Sequence, residues 1–219
     1  MTEHTALTRR GFLAGCAAVT GSLVVVGAAS AGSASAEEGV SSVANVQYGF
    51  LSDLSRCVGC ENCVAACREA NHLSEETANR RRVQVFMNSR SNNVYVSTSC
   101  MHCDDPNCLR VCPAGAISKG AAGIVSVNPD RCIGCKYCVQ ACPYEVPTYN
   151  NVSMDKCDCC LGAGVAPGDT PYCVQACIFD ALKYGPVDEL RAEAEARGLA
   201  PVPVGEACGP NCLLVGERG

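Results

Sequence analysis

A chain of 219 residues with 20 cysteines, no tryptophan and 5% aromatic residues is not held by a large apolar core alone. Its formal charge of −5, with no basic run and no aromatic–basic stripe, argues against a nucleic-acid partner. His4, His72 and His102 are too few and too scattered for a histidine-based metal site.

In chain order, residues 1–36 read as a leader. Thr8-Arg9-Arg10-Gly11-Phe12-Leu13 resembles a twin-arginine export motif, a weakly apolar Ala/Gly/Val stretch runs from Phe12 to about Ala31, and Ala34-Ser35-Ala36 offers a small-residue cleavage site before Glu37. Two other uses stay open. The stretch is about long enough to span a bilayer uncleaved, and Leu13-Ala14-Gly15-Cys16 mimics a lipoprotein box, though little apolar sequence precedes Cys16. No later segment approaches 18 uninterrupted apolar residues, so no transmembrane segment is expected in the mature chain, and membrane contact is expected only through a partner.

Sixteen of the 20 cysteines fall into four blocks. Cys57, Cys60, Cys63 and Cys67 read C-x2-C-x2-C-x3-C. Cys100, Cys103, Cys108 and Cys112 read C-x2-C-x4-C-x3-C-P. Cys132, Cys135, Cys138 and Cys142 read C-x2-C-x2-C-x3-C-P. Cys157, Cys160, Cys173 and Cys177 read C-x2-C-x12-C-x3-C. Three closely spaced thiolates reach three iron corners of one cubane, and the fourth ligates the other cluster of a pair. Zinc sites use C-x2-C pairs but have no need of the C-x2-C-x2-C-x3-C-P run. A disulfide framework suits an exported chain, but residues 37–219 hold an odd number of cysteines, and triplets at x2 spacing suit a shared metal better. Four blocks predict four [4Fe–4S] clusters and electron transfer.

The chain also repeats itself. Arg56-Cys57-Val58-Gly59-Cys60 matches Arg131-Cys132-Ile133-Gly134-Cys135, and Val64-Ala65-Ala66-Cys67 matches Val139-Gln140-Ala141-Cys142, which is the duplication of a two-cluster ferredoxin unit. The predicted class is α+β: a duplicated ferredoxin-like fold at residues 37–186, short strands and helices wrapped around clusters. An insertion at 71–99 carries a β-hairpin, with arms Arg82–Phe86 and Val94–Ser97 around a Ser/Asn-rich turn. Gly123–Val127 reads as a strand closed by Asn128-Pro129. Short helices are expected after each fourth cysteine, as at Ala65–Ala70 and Val174–Leu182. Residues 187–219 read as a tail that opens with an acidic helix, Val187–Arg197, stopped by Gly198.

Tyr48-Gly49-Phe50-Leu51, the four blocks in this order, Cys100-Met101-His102-Cys103-Asp104-Asp105-Pro106 and Met154-Asp155-Lys156-Cys157 together resemble one family. It is the four-cluster iron–sulfur subunit of molybdopterin oxidoreductases, such as dimethyl sulfoxide and polysulfide reductases, and the likeness runs from about Val46 to Ala181. The resemblance implies a pairing across blocks. Cys57, Cys60, Cys63 and Cys177 would hold the first cluster, and Cys67, Cys157, Cys160 and Cys173 the second. Cys100, Cys103, Cys108 and Cys142 would hold the third, and Cys112, Cys132, Cys135 and Cys138 the fourth. It also implies a relay with no catalytic residue of its own. A large molybdopterin catalytic subunit would face the first cluster, and a quinol-oxidising membrane anchor or a cytochrome would face the fourth. The same build could serve a hydrogenase or a multihaem nitrite reductase. Ile178 stands where many relatives carry proline. Cys135 stands where one branch carries an aromatic residue and a three-iron cluster, so four complete cubanes are expected.

Three thiols are surplus. Cys159 reads as a small buried thiol or an alternative ligand, and Cys208 and Cys212 as a disulfide formed after export or as free thiols. His102 reads as a loop hydrogen-bond donor or as a residue tuning a cluster. Arg56, Arg68, Arg110, Arg131, Lys136 and Lys156 lie within two residues of a ligand, where a cation would raise the potential of an anionic cluster or simply cover the surface.

Overall fold

β1, Tyr48–Asp53, runs between strands contributed by the far end of the chain in this computed structural model, which describes residues 43, 45–205 and 207–216. The leader, with Arg9, Arg10, Cys16 and the cleavage site at Ala36, lies outside the described residues. Other elements in chain order are α1 (Asn62–Ala70), β2 (Arg82–Met87), β3 (Asn93–Thr98), α2 (Asn107–Arg110), β4 (Ile117–Lys119), β5 (Val125–Val127), α3 (Tyr137–Ala141), β6 (Thr148–Tyr149), β7 (Met154–Asp155), α4 (Tyr172–Gln175), β8 (Leu182–Pro186), α5 (Val187–Ala196), β9 (Pro201–Val202) and β10 (Cys212–Val215). None of the helices among the described residues is long and apolar enough to cross a membrane.

The main sheet has the order β8-β1-β10-β9, with β1 antiparallel to β8 and parallel to β10. Side chains alternate across β1. Phe50 faces the cysteine-rich interior, while Leu51 faces α5 and meets Leu190, Ala194 and Val215. Each large apolar side chain buried there contributes about 2 kcal/mol. α5 is anchored by Val187, Leu190 and Ala194 on one face, and Asp188 and Glu189 in its first turn complement its dipole. It stops where expected. Gly198 takes φ +65° and the Leu199 N–H returns to the Ala194 carbonyl at 2.9 Å.

The hairpin also forms as expected, β2 pairing with β3 from Arg82↔Thr98 to Met87↔Asn93. Its turn is closed by Asn88, whose side-chain oxygen accepts from Arg90 N at 3.0 Å and Asn92 N at 2.9 Å. β5 is the shorter Val125–Val127 and pairs with β4. Two expectations differ. β9 and β10, in the residues after α5, were not foreseen as strands, yet β10 is the inner neighbour of β1. The helix expected over Val174–Leu182 is only α4, ending at Gln175, because Leu182 pairs with Ser52 as the start of β8.

Candidate metal centres

The third position of the first C-x2-C loop in each block has a left-handed backbone: φ is +74° at Gly59, +43° at His102, +69° at Gly134 and +55° at Cys159. That turn folds the two flanking cysteines of the loop together. A Cβ on Gly59 would lie 2.3 Å from the Tyr95 ring, and one on Gly134 would lie 2.8 Å from the Tyr149 hydroxyl, so an aromatic side chain covers each of these loops. The third cysteine of each block then enters a short helix: Cys63 in α1, Cys108 in α2, Cys138 in α3 and Cys173 in α4. The fourth cysteine follows four residues on. The helices therefore carry the third ligand and lead into the fourth, rather than following it as the sequence suggested. On α1 this places Cys63 and Cys67 one turn apart on one face, with Cβ atoms about 5–6 Å apart. Two neighbouring cysteines of one block can thus serve two adjacent sites.

The structure brings thiols of different blocks beside one another, within the four quartets that the resemblance implies. One cavity is walled by Cys57, Cys60, Cys63 and Cys177 together with Val58, Gly59, Ser97 and Leu182. A second is walled by Cys112, Cys132, Cys135 and Cys138 with Ile117, Val127, Ile133 and Met154. The remaining thiols make two further groups, and all four of one, Cys67, Cys157, Cys160 and Cys173, are buried. Burial and the neighbouring sulfurs of Cys157, Cys173 and Cys160 push the Cys67 thiol up to about 12. Burial likewise pushes Cys103 up to about 12, helped by Cys100, Cys208, Cys108 and Cys142. The quartets form a series: Cys157 neighbours Cys100, and Cys138 neighbours Cys108. Cys60 and Cys135, in the two terminal quartets, are exposed.

Residues 91–187 match a 4Fe–4S dicluster domain, and residues 56–116 match a second 4Fe–4S dicluster domain. The chain is 42% identical over 181 residues to the B subunit of the anaerobic dimethyl sulfoxide reductase of Escherichia coli, covering 77% of this chain and 88% of that subunit. It is 41% identical to the thiosulfate reductase electron transfer subunit PhsB of Salmonella typhi (65% and 78% covered) and 38% identical to protein NrfC of Escherichia coli (68% and 69% covered). The chain belongs to the 4Fe–4S dicluster family of iron–sulfur electron-transfer subunits. Its cofactors are four [4Fe–4S] clusters, and its role is to relay electrons within an oxidoreductase complex. A bound [4Fe–4S] cluster takes up and gives up one electron at a time.

The quartets fit such a guest. Thiols that push one another's pKa upward do not coexist as bare thiolates; a cationic core relieves the repulsion and releases the protons. Among the described residues, Ser52, on the wall of the first cavity, keeps a buried hydroxyl with no partner, and the buried Arg81 Nε has none either. Both are donors left over for an acceptor the protein does not supply.

Two buried cations lie along the series of quartets. Arg81, 1% exposed, donates to Ser97 Oγ at 3.0 Å and Ser99 Oγ at 2.9 Å, with sulfurs of Cys173, Cys157 and Cys63 around it. It therefore stands between the first and second quartets. Burial opposes its charge, but those sulfurs outweigh it and raise its pKa. Lys156 donates to the carbonyls of Val125 and Cys157 between the second and third quartets. Burial again works against the charge, and the sulfurs of Cys100, Cys157 and Cys108 raise its pKa.

Of the six cations singled out by spacing, only Lys156 is buried. Arg56 pairs with Asp180 at 2.6 Å and Arg110 with Asp105, both on the surface. Arg68 ties the carbonyls of Ser74 and Thr77 at 2.6 and 3.0 Å. Arg131 lies against Gly115, and Lys136 sits 4.8 Å from the centre of the Tyr149 ring. Arg81, one residue before β2, was missed because its nearest cysteine in sequence is far away. The signal that could have found it is an arginine followed directly by a strand.

Hydrogen bonds to sulfur complete the surroundings. The N–H groups of Ala116 and Ala181 donate to Cys112 and Cys177 Sγ, each at 3.3 Å, and Met154 N donates to Cys132 Sγ at 3.4 Å. The first two recur at equivalent places in the duplicated unit. Asn71 aims its amide at Cys160 Sγ (3.7 Å) and Cys67 Sγ (3.9 Å), and Arg80 holds that amide oxygen at 2.8 Å while bridging to Asp155. Such bonds to cluster sulfurs favour the reduced state.

The surplus thiols are buried. Cys208 and Cys212 are both free, not disulfide-bonded. Cys208 lies beside Cys103, and Cys212 opens β10 near Arg81 and Cys100. Cys159 contacts His102, whose pKa is lowered by burial. Cys157 is held well below the ordinary thiol value, first by a hydrogen bond from Cys159 and then, against burial, by His102.

Proposed function

We propose that the relay runs through four cubanes held by the quartets named above. These are Cys57, Cys60, Cys63 and Cys177; Cys67, Cys157, Cys160 and Cys173; Cys100, Cys103, Cys108 and Cys142; and Cys112, Cys132, Cys135 and Cys138. The observation that carries this is the meeting of distant blocks in single cavities, Cys177 with the first block and Cys112 with the third. The terminal quartets are the two electrical ends of the subunit, with exposed Cys60 at one and exposed Cys135 at the other.

In this reading the first quartet faces a molybdopterin catalytic subunit, and the fourth faces a quinol-oxidising anchor or a cytochrome, in anaerobic respiration. The named reductases among the relatives support a catalytic partner. Leader residues 1–36 would send the folded, cluster-loaded chain across the membrane by the twin-arginine route to the periplasm or the outer face of the cytoplasmic membrane. Thr8-Arg9-Arg10-Gly11-Phe12-Leu13 and Ala34-Ser35-Ala36 support this.

Anaerobic purification of the tagged chain tests the reading. About sixteen irons per chain and a co-purifying large subunit containing molybdenum are expected. Nickel or haem in that subunit would instead assign the relay to a hydrogenase or a nitrite reductase, and about eight irons would break the ligand assignment.

A further inference from the structure

The tail beyond α5 returns to one of the cysteine loops. Asp104 N–H donates to the Gly209 carbonyl at 2.8 Å, Asp105 N–H to the Cys208 carbonyl at 3.2 Å, and Asn211 N–H to the Met101 carbonyl at 2.9 Å. The Asn211 side-chain amide then donates twice more, to the His102 carbonyl at 2.9 Å and to Asp104 Oδ1 at 3.0 Å. Asn211 is 3% exposed and so grips the loop on both sides of Cys103. Its other side is held by β1. Phe50 N–H donates to the Asn211 carbonyl at 3.0 Å, and a Cβ on Gly49 would lie 2.1 Å from that oxygen. Gly49 is therefore where β1 lets the tail approach. Tyr48–Leu51 and Cys100–Pro106, two segments far apart in the chain, meet through this one asparagine.

The loop it grips has a need that two others lack. At the left-handed position the first and third blocks carry Gly59 and Gly134, but here the residue is His102, at φ +43°. A side chain there persists only where the surroundings fix the backbone, and the direction of the His102 carbonyl follows from that turn. We propose that Asn211 is a positioning residue of the third site. From outside the loop it pins the His102 carbonyl and the Asp104 side chain, so that Cys100 and Cys103 are held ready for the cluster. Residues that orient a metal's ligands are worth about 10–100-fold in affinity. The ligand set is complete without the tail, but its loop is pinned only once Asn211 is in place. The proposal rests on Cys100, Cys103, Cys108 and Cys142 sharing one cluster.

Iron analysis and potentiometric titration followed by electron paramagnetic resonance on the cluster-loaded full chain test it, with Cys142→Ser identifying the signal of the third cluster. Asn211→Asp keeps the size of the side chain but sets a carboxylate against two acceptors. It should lose the cluster that Cys142→Ser loses and keep about twelve irons. Asn211→Ala retains the backbone bonds; it should yield that cluster's iron at about 10–100-fold lower chelator concentration, while the other three clusters hold. Wild-type iron and chelator resistance in both variants would overturn the proposal. So would equal weakening of all four clusters, which makes Asn211 a support of the fold at large. If neither variant accumulates, reciprocity decides: a tail that pins the site is pinned by it. The Asn211 and Asp104 amides should then exchange with deuterium faster in Cys142→Ser than in Cys60→Ser, and equal exchange in the two decides against the pin. Different clusters lost in Cys103→Ser and Cys142→Ser would defeat the third quartet itself, whereas one shared loss with unaffected Asn211 variants defeats only the pin.

Discussion

The guanidinium carbon of Arg81 lies 4.6 Å from the centre of the Phe50 ring, inside a protein whose other buried charges are few. The ring covers one face of the cation and Ser97 and Ser99 hold its edge, so its charge is fixed beside sulfurs of two quartets. A unit charge at roughly 8 Å and an effective dielectric of about 20 is worth about 2 kcal/mol, or roughly 90 mV in a one-electron couple. Arg81→Met should therefore lower the potentials of the first and second clusters by tens of millivolts, and Arg81→Lys by less. Redox titration of the loaded chain checks this.

Cross-block pairing predicts which variants damage the same cluster. Cys57→Ser and Cys177→Ser should remove the same spectroscopic signal, and Cys67→Ser should match Cys160→Ser instead of Cys63→Ser. Each should leave about twelve irons, because one cubane of four is lost. Iron analysis with electron paramagnetic resonance of the single and double variants decides it; additive losses within a proposed pair would contradict the pairing.

Gly59 and Gly134 hold equivalent loop positions with unequal surroundings. An alanine at Gly59 would drive its Cβ into the Tyr95 ring, whereas at Gly134 it would meet the end of the Tyr149 side chain. Both pay about 1 kcal/mol for the left-handed backbone. Gly59→Ala should lose the first cluster, while Gly134→Ala should keep the fourth with reduced stability. Iron content and thermal unfolding separate the two outcomes.

Arg197 reaches Asp53 at 2.6 Å and clamps the end of α5 to the end of β1, where Asp53 is fully buried. Arg197→Ala should cost about 2 kcal/mol of stability without changing iron content, because the Cys57 N–H is held by the Asp53 backbone carbonyl, at 3.1 Å, and not by the carboxylate that Arg197 pairs. Chemical denaturation of the loaded protein measures it.

Export gives a further test. Replacing Arg9 and Arg10 with Lys should strand a full-length, cluster-loaded precursor in the cytoplasm, since residues 1–36 contain no quartet member. Fractionation with mass measurement should show the normal exported form beginning near Glu37. A double-Lys variant that still crosses the membrane would remove the twin-arginine assignment.

Much of the site was legible because cluster ligation is written in short-range spacing. The four blocks of closely spaced cysteines, the hairpin around Asn88 and the end of α5 at Gly198 depend on residues close together in the chain. What escaped depends on residues far apart. Arg81 gains its place from Phe50 and from sulfurs across the fold, and Asn71 gains its place from Arg80 and Cys160. β10 was missed because Cys212–Val215 is too short to announce a strand without its partner β1. His102 read as a loop donor or a tuning residue and Cys159 as a buried thiol or an alternative ligand, and nothing in their spacing joined the two, which lie 3.2 Å apart.

The four quartets are nested in sequence. The innermost spans 112–138, the next 100–142, then 67–173, and the outermost 57–177. A chain emerging from its N-terminus can therefore complete these sites only from the inside outward, each closing a longer loop at a slowly rising entropic cost. The exposed end at Cys135 is finished first. The end at Cys60 waits until Cys177 has been made, and the sheet beneath it waits for β10. Growth of the wire in the cell thus has a direction that its electrons need not share.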